Sequence, residues 1–379
     1  MVIINYVTQI NFGYGSLSAL RAECERVGIK RPLLITDRGV RLAGLADTVL
    51  KQLPNPESVP VYDGTPGNPN EGSVRDALAI YGEGECDGFI ALGGGSPIDL
   101  AKAVAVLAAH GGSLKDYAAI EGGAARITSR TPPVIAIPTT AGTGSEVGRG
   151  SLIIMDDGRK LGILSPHVVP KSAICDPELT LGLPPILTAA TGMDAVAHCI
   201  ETFLAPAFNP PAEGIALDGL QRAWANIERA TTTPDNRNAR LNMMSASMQG
   251  ALAFQKGLGS VHSLSHSLGG IDPKLHHGTL NAVLLPAVIA FNATAETVVA
   301  DRKMDRLAGA MGLARGDEVG PAIESMTQRL NLPTRLSAMG VGEDLIPTIV
   351  KGALADHSHK TNPREASVAD YETMLRQVM

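Results

Sequence analysis

The sequence predicts an α/β domain followed by an all-helical domain. In the first half, short β-branched runs alternate with stretches of helical periodicity, a pattern typical of a parallel sheet covered by helices. From Leu183, Pro184 and Pro185 onward, Ala, Leu and Met recur every three or four residues and strand signals almost disappear. The chain has 379 residues. Because single cores stop growing at about 250–300 residues, we expect two domains, over residues 1–183 and 184–379.

The elements of the first domain follow from their residues in order. We interpret as strands the β-branched runs over residues 31–37, 59–64, 87–96 and 132–140. Helical periodicity over residues 16–28 and 96–110 predicts helices among them. Two further apolar runs flank Asp157 and Gly158, a dipeptide that favours β-hairpin turns. The domain is therefore expected to be Rossmann-like, with a doubly wound, mostly parallel sheet.

Composition excludes several classes of protein. A net charge of −6 gives no basic surface for nucleic acid or an anionic membrane. No apolar run approaches the roughly 20 residues that span a bilayer, and the N-terminus lacks the features of a signal peptide. The four cysteines are scattered, which is typical of reduced thiols. We expect a cytoplasmic enzyme that acts on a small molecule.

Four possible metal ligands stand out in the second half. Asp194 and His198 are four residues apart in a helical stretch, so their side chains lie on one face. His262 and His266 repeat this spacing, and His277 follows before another apolar run. A carboxylate with imidazoles suits Fe²⁺, Zn²⁺ or Mn²⁺. A lone histidine more often satisfies a hydrogen bond in the core, but three of them with an aspartate favour a metal site.

Two loops at predicted strand ends are candidates for cofactor binding. After the third strand, the backbone N–H groups of Gly94, Gly95 and Ser96 open a helix where a pyrophosphate could bind. The usual dinucleotide and nucleotide-triphosphate glycine motifs are absent, and a plain tight turn is the alternative. The loop over residues 138–146 follows the fourth strand, and its alternative role is a helix cap. Its hydroxyl groups belong to Thr139, Thr140, Thr143 and Ser145.

Asp37 ends the first predicted strand. An acidic residue in this position accepts hydrogen bonds from an adenosine ribose and repels a 2′-phosphate, which favours NAD over NADP. An aspartate that only stabilises a turn is the alternative.

The motifs together resemble the iron-containing (group III) alcohol dehydrogenase family. The matching segments are GGGSPIDLAKAVA, PTTAGTGSEV, CDPELTLGLPP, TGMDAVAHCIETF, GLGSVHSLSHSLGG, HHGTLNAVLLP and KTNPRE. They occur in the family's order along essentially the whole chain. The resemblance implies a dehydroquinate synthase-like architecture, with nicotinamide and metal held in a cleft between two domains.

The resemblance also implies roles for individual residues. The metal ligands would be Asp194, His198, His262 and His277, with Fe²⁺ as the metal and Zn²⁺ or Mn²⁺ as alternatives. The cofactor, NAD, would contact Asp37, Gly93, Gly94, Gly95, Ser96, Asp99, Lys102, Thr139, Thr140, Thr143 and Ser145. His266 would lie behind the ligands and either relay a proton or orient its neighbours. The reaction would be hydride transfer between an alcohol and the nicotinamide, and a homodimer or higher homo-oligomer is expected.

Three departures from the family pattern affect these expectations. The segment before the last ligand is one residue longer than usual, so His276 competes with His277 as the ligand. Arg149 stands between two glycines where many members carry small or polar residues, and Lys256 precedes the third ligand closely. Both cations would contact the substrate, or else form surface charges or structural ion pairs.

A cation at the substrate favours an anionic one. We therefore expect an ω-hydroxy acid and its semialdehyde, such as 4-hydroxybutyrate and succinate semialdehyde. The alternatives are a neutral alcohol or diol of the 1,2- or 1,3-propanediol type, and a maleylacetate reductase-like enzyme without metal. A dehydroquinate synthase-like lyase is a more distant alternative.

Overall fold

The computed structural model describes residues 8–379. These residues form two compact units, which are described separately. The sheet unit comprises residues 8–140 and 144–182, and the helical unit comprises residues 141–143 and 183–379. Residues 1–7 lie outside the described residues. The predicted domain 1–183 and the N-terminal segment examined for a signal peptide both begin there.

The described part of the sheet unit contains the strands β1 (Gln9–Phe12), β2 (Pro32–Ile35), β3 (Val61–Tyr62), β4 (Gly88–Gly93), β5 (Val134–Pro138), β6 (Gly150–Ile154), β7 (Lys160–Leu164) and β8 (Ser172–Cys175). Six of them form a parallel sheet in the order β1-β8-β5-β4-β2-β3, and β6 and β7 form an antiparallel hairpin. The α/β class, the four predicted strands and the hairpin are confirmed. The sequence did not predict β1 and β8, which have only four residues each.

Helices cover the sheet, whose central strands are buried along their whole length. The helices of the sheet unit are α1 (Leu20–Val27), α2 (Arg38–Leu42), α3 (Leu45–Leu50), α4 (Glu71–Glu83) and α5 (Gly95–His110). The first predicted helix is shorter than expected, because its first turn is a 3₁₀ helix. Gly28 ends it in the left-handed conformation, at φ 81°.

The strand order creates a reversal in the direction of chain progression. From β2 the chain moves outward to β3, whereas from β4 it moves the other way to β5. In open parallel sheets, ligands bind outside the carboxyl ends of the strands at such a reversal. The segments that follow β2 and β4 therefore flank the expected ligand site of the sheet unit.

The helical unit contains only helices and loops in residues 183–379. Its α-helices are α6 (Pro185–Leu204), α7 (Pro210–Thr232), α8 (Arg237–Leu252), α9 (Ser260–Ile271), α10 (His277–Asn292), α11 (Glu296–Ala300), α12 (Lys303–Ala310), α13 (Val319–Arg329), α14 (Ile346–Ala355) and α15 (Val368–Val378). Helix α6 is buried from Thr188 to Leu204 and lies in the unit's apolar core. None of the helices in residues 8–379 has the length and hydropathy needed to cross a membrane.

Candidate metal centre and cofactor loops

Three helices of the helical unit bring four candidate ligands together. Asp194 and His198 lie one turn apart on α6, His262 lies on α9, and His277 is the first residue of α10. One possible ligand atom from each lies within 4.8 Å of the others. Oδ1 of Asp194 is 3.5 Å from Nε2 of His198, 3.9 Å from Nε2 of His262 and 3.6 Å from Nε2 of His277. One carboxylate and three imidazole nitrogens thus face a common point.

Glycine residues allow these helices to approach closely. A Cβ atom on Gly278 would lie 2.1 Å from the carbonyl oxygen of Ala190 and 3.2 Å from Cβ of Asp194. Any larger residue would push the first turn of α10, with His277, away from α6. His276 precedes the helix as its N-cap residue and is not a member of the four-residue cluster. The structure therefore brings His277 to the other three candidate ligands, as the sequence predicted.

Hydrogen bonds to the far side of two rings orient the histidines. Nδ1 of His198 lies 3.1 Å from the carbonyl oxygen of Gly142. Nδ1 of His262 lies 2.5 Å from Oε2 of Glu201. A carbonyl oxygen can only accept, so Nδ1 of His198 is the donor and its Nε2, which faces Asp194, keeps the lone pair.

Burial sets the charge state of this site. It lowers the pKa of His262 well below the ordinary value, which keeps the imidazole neutral and able to act as a ligand. Burial also raises the pKa of Glu201, and the backbone N–H groups of Val261, Gly259 and His262 oppose this because they stabilise its ionised form. The His277 side chain is 23% exposed, against 2–5% for the other three candidates, so the site opens toward solvent beside His277. A divalent ion with an open position for a substrate oxygen fits this donor set.

Sequence reasoning missed two polar residues of the site. Glu201 lies seven residues after Asp194, and therefore on the same face of α6. Asn281 lies one turn after His277 and donates from Nδ2 to Oδ1 of Asp194 over 2.7 Å. Helical spacing from the predicted ligands was the signal that could have found both residues. It was applied only between aspartate and histidine residues four positions apart.

His266 lies one turn after His262 on α9, next to the candidate ligands, and its role stays a prediction. Its ring stacks on that of His277, with centroids 5.4 Å apart, and on that of His357, with centroids 5.8 Å apart. Its Nδ1 lies 3.0 Å from Oδ2 of Asp356. Burial would raise the pKa of Asp356, but His266, His357 and the N–H group of Ser358 outweigh burial and lower it. His266 thus forms a buried pair with a carboxylate that the sequence did not predict.

The structure corrects the substrate role considered for Lys256. Its ammonium group is fully buried, donates to Oε1 of Glu213 over 2.7 Å and lies 3.3 Å from the carbonyl oxygen of Phe203. Lys303 also donates to the Phe203 carbonyl group, at 3.2 Å. Lys256 therefore binds the C-terminal end of α6 and Glu213, which is the structural ion pair that the sequence left as the alternative.

In the sheet unit, the two predicted cofactor loops lie side by side. The N–H group of Thr139 donates to the carbonyl oxygen of Gly93 over 2.9 Å. A Cβ atom on Gly94 would lie 3.3 Å from Cγ2 of Thr140. Gly93 has φ 147°, and a Cβ atom there would lie 2.7 Å from Cγ of Pro97, so only glycine fits before α5. The hydroxyl group of Ser96 donates to the Gly67 carbonyl oxygen over 2.6 Å.

Lys102 and Asp99 both support these loops. The full burial of Lys102 corrects the direct cofactor contact predicted for it, whereas the Asp99 side chain is 14% exposed and its contact stays a prediction. The Lys102 ammonium group is fully buried and lies within 3.0 Å of four oxygen atoms, from Ser145, Gly148 and Gly150. Asp99 accepts hydrogen bonds from the hydroxyl group of Ser145 and the N–H group of Leu152. Ser145 belongs to the same network. Thr143 is grouped with the helical unit.

Asp37 and Arg149 have different surroundings. Asp37 is half-buried at the carboxyl end of β2, and its Oδ1 accepts from the N–H group of Val40, which caps α2. The capping role left open by the sequence is therefore present, and a contact with ribose stays a prediction. Arg149 is exposed next to β6, and its contact with a substrate also stays a prediction.

Known proteins resemble the chain along its full length. The family model for iron-containing alcohol dehydrogenase matches residues 7–177, and the model for the C-terminal part of that family matches residues 188–379. A 4-hydroxybutyrate dehydrogenase from Cupriavidus necator is 62% identical over 383 residues, covering 100% of both chains.

Two solved structures have the same fold. The structure of a 1,3-propanediol oxidoreductase has a TM-score of 0.92 and 33% identity, covering 100% of both chains. A sulfoacetaldehyde reductase from Bifidobacterium kashiwanohense, in complex with NAD⁺, has a TM-score of 0.89 and 28% identity, covering 100% of this chain and 98% of the other. Together with the family models, these likenesses show that the chain is an oxidoreductase and belongs to the iron-containing alcohol dehydrogenase family.

Proposed function

We propose that the chain is a metal-dependent NAD(H) dehydrogenase that interconverts a primary alcohol and an aldehyde. The observation that carries this proposal is the convergence of Asp194, His198, His262 and His277 on one point. In this proposal residues 184–379 form the metal-binding domain, and residues 1–183 form the nucleotide-binding domain.

Family membership supports Fe²⁺ as the resident metal, with Zn²⁺ and Mn²⁺ as alternatives that the same donor set accepts. The NAD⁺ complex of the sulfoacetaldehyde reductase supports NAD(H) as the cofactor. In the sheet unit, the candidate contacts are the N-terminus of α5 at Gly95 and Ser96, and the adjacent hydroxyl groups of Thr139 and Thr140. These residues flank the sheet reversal at which such ligands bind.

When bound, the metal supplies Lewis-acid polarisation of the substrate oxygen, and the nicotinamide supplies or accepts the hydride. The chain's own residues position the reactants and handle the proton. Since Asp356 accepts a hydrogen bond from Nδ1 of His266, Nε2 is the atom of His266 left to exchange a proton. The ring of His357 stacks on that of His266, and its side chain is 29% exposed. We propose that His266 moves the proton and that Asp356 fixes its orientation.

For the substrate, we propose an ω-hydroxy acid and its semialdehyde, of the 4-hydroxybutyrate and succinate semialdehyde type. The 62% identity to a 4-hydroxybutyrate dehydrogenase supports this choice. With Lys256 committed to Glu213, Arg149 is the remaining candidate partner for the distal carboxylate. A neutral diol is the second candidate, because the 1,3-propanediol oxidoreductase has the same fold at 33% identity.

Kinetics with NADH distinguish these substrates. We expect the metal-loaded enzyme to reduce succinate semialdehyde with a higher kcat/KM than butanal, lactaldehyde or 3-hydroxypropanal. A preference for butanal or lactaldehyde would refute the anionic substrate and leave a neutral alcohol or diol. A homodimer or higher oligomer and a cytoplasmic location stay predictions of the proposal.

A further inference from the structure

Glu201 is a buried carboxylate with both oxygen atoms engaged beside the candidate metal centre. Its side chain is 2% exposed, and its Oε2 lies 2.5 Å from Nδ1 of His262. Its Oε1 accepts from the N–H group of Val261 over 2.7 Å. Gly259 makes room for it, since a Cβ atom there would lie 2.9 Å from Oε1. The start of α9 is thus built around this carboxylate.

The direction of the bond between Glu201 and His262 decides what His262 can bind. A neutral imidazole carries one proton, on either Nδ1 or Nε2. A carboxylate at Nδ1 accepts a hydrogen bond, so the proton stays on Nδ1 and Nε2 keeps a lone pair. Nε2 is the atom that faces Asp194, at 3.9 Å from its Oδ1. A proton on Nε2 would instead block coordination at that atom.

We propose that Glu201 is a positioning residue that holds His262 in its metal-binding tautomer. This inference rests on the metal site of the proposed function. Glu201 itself is no member of the four-residue ligand cluster, and its two oxygen atoms already serve His262 and Val261. His198 has only a backbone carbonyl group at its Nδ1, so His262 is the ligand whose tautomer depends on a side chain that can be replaced.

The substitution Glu201→Gln tests the proposal because it nearly preserves shape and replaces one acceptor by a donor. The N–H group of Val261 requires the amide oxygen, so the amide NH₂ group faces Nδ1 of His262. His262 must then accept at Nδ1 and carry its proton on Nε2. We expect the affinity of the full chain for Zn²⁺, measured by chelator competition, to fall by about 10- to 100-fold.

Nitrogen NMR provides a measure that does not depend on activity. In the metal-free protein labelled with ¹⁵N-histidine, His262 should carry its proton on Nδ1 in the wild type and on Nε2 in Glu201→Gln. Its signals among the nine histidines are assigned with His262→Gln. The control is Glu213→Gln. It neutralises another carboxylate of the helical unit, whose partner is Lys256. The control should lower thermal stability and leave both the Zn²⁺ affinity and the His262 tautomer unchanged.

Two results would overturn the inference: wild-type Zn²⁺ affinity in Glu201→Gln, or His262 already protonated on Nε2 in the metal-free wild type. The second measurement does not use Glu201→Gln, so it decides the matter even if that variant does not fold. Failure of the proposed function looks different, because the wild type itself would then bind no Zn²⁺ at the His262 site.

Discussion

Asn281 donates from Nδ2 to Oδ1 of Asp194 over 2.7 Å, and the same nitrogen lies 3.2 Å from Nε2 of His277. Its own Oδ1 is buried without a hydrogen-bond partner. The bond from Nδ2 fixes which oxygen of Asp194 is engaged.

We predict that Asn281→Leu weakens Zn²⁺ binding by about tenfold, by analogy with other groups that orient metal ligands. The metal-free variant should also unfold at a lower temperature, because the buried carboxylate of Asp194 loses its amide donor. Chelator competition and thermal unfolding measure the two effects separately.

Asn209→Leu is the control for this substitution. Asn209 is also buried in the helical unit, but it caps α7 by accepting from the N–H group of Ala212. The control should lower thermal stability and keep the Zn²⁺ affinity. If Asn281→Leu unfolded at a lower temperature but bound Zn²⁺ like the wild type, Asn281 would have only a structural role.

Local periodicity was sufficient to predict the fold class and to place Asp194 and His198 on one helix face, whereas the family resemblance supplied His277 as the last candidate ligand. Asp194 and His198 are one turn apart on α6, and alternation of strands and helices predicted the parallel sheet. Lys102 and Lys256 could not be assigned in this way. Their partners, such as Ser145 and Glu213, are 43 residues away in the chain, and only the folded structure shows both ammonium groups to be buried.

Asp37 is expected to determine cofactor preference. A 2′-phosphate would bring a second anion toward its half-buried carboxylate, so kcat/KM should be higher with NADH than with NADPH. Asp37→Gly should narrow this preference. Asp37→Asn should narrow it as well while it preserves the cap on the N–H group of Val40. An unmodified enzyme that uses NADPH equally well would refute this role, and an unchanged preference in Asp37→Asn would leave Asp37 as a helix cap only.

Glu146 should make the stability of the sheet unit depend on pH. Burial raises its pKa from 4.5 to about 7, although Lys102 opposes the shift. Between these two pKa values, folded Glu146 keeps a proton that the unfolded chain loses. Its contribution to the free energy of unfolding is therefore complete below pH 4.5 and is lost as pH rises through 7. The shift in pKa corresponds to about 3 kcal/mol in the free energy of unfolding.

The measurement for Glu146 is thermal unfolding between pH 5 and 8. The glutamine of Glu146→Gln does not titrate, so the stability of this variant relative to the wild type should rise with pH and level off above pH 7. Glu83→Gln changes an exposed carboxylate of the same unit and should show no such trend. If the difference in stability between Glu146→Gln and the wild type did not change with pH, this prediction would be wrong.

Arg149 is predicted to bind the carboxylate of the substrate. A lost charge-assisted hydrogen bond is worth enough to raise KM about tenfold. Arg149→Gln should therefore raise KM for succinate semialdehyde by about this factor, and should change KM for butanal by less than about twofold. Arg21→Gln, at another exposed arginine of the sheet unit, should affect neither substrate. Equal effects of Arg149→Gln on both aldehydes would exclude a carboxylate contact.

The metal content of two purified histidine variants directly tests whether the four-residue cluster binds the metal. His262→Ala removes a member of the four-residue cluster, whereas His276→Ala removes the neighbouring N-cap residue of α10. By elemental analysis and NADH-dependent aldehyde reduction, we expect folded His262→Ala to lack both metal and activity and His276→Ala to retain both. Metal retained in His262→Ala, or lost only in His276→Ala, would contradict this expectation.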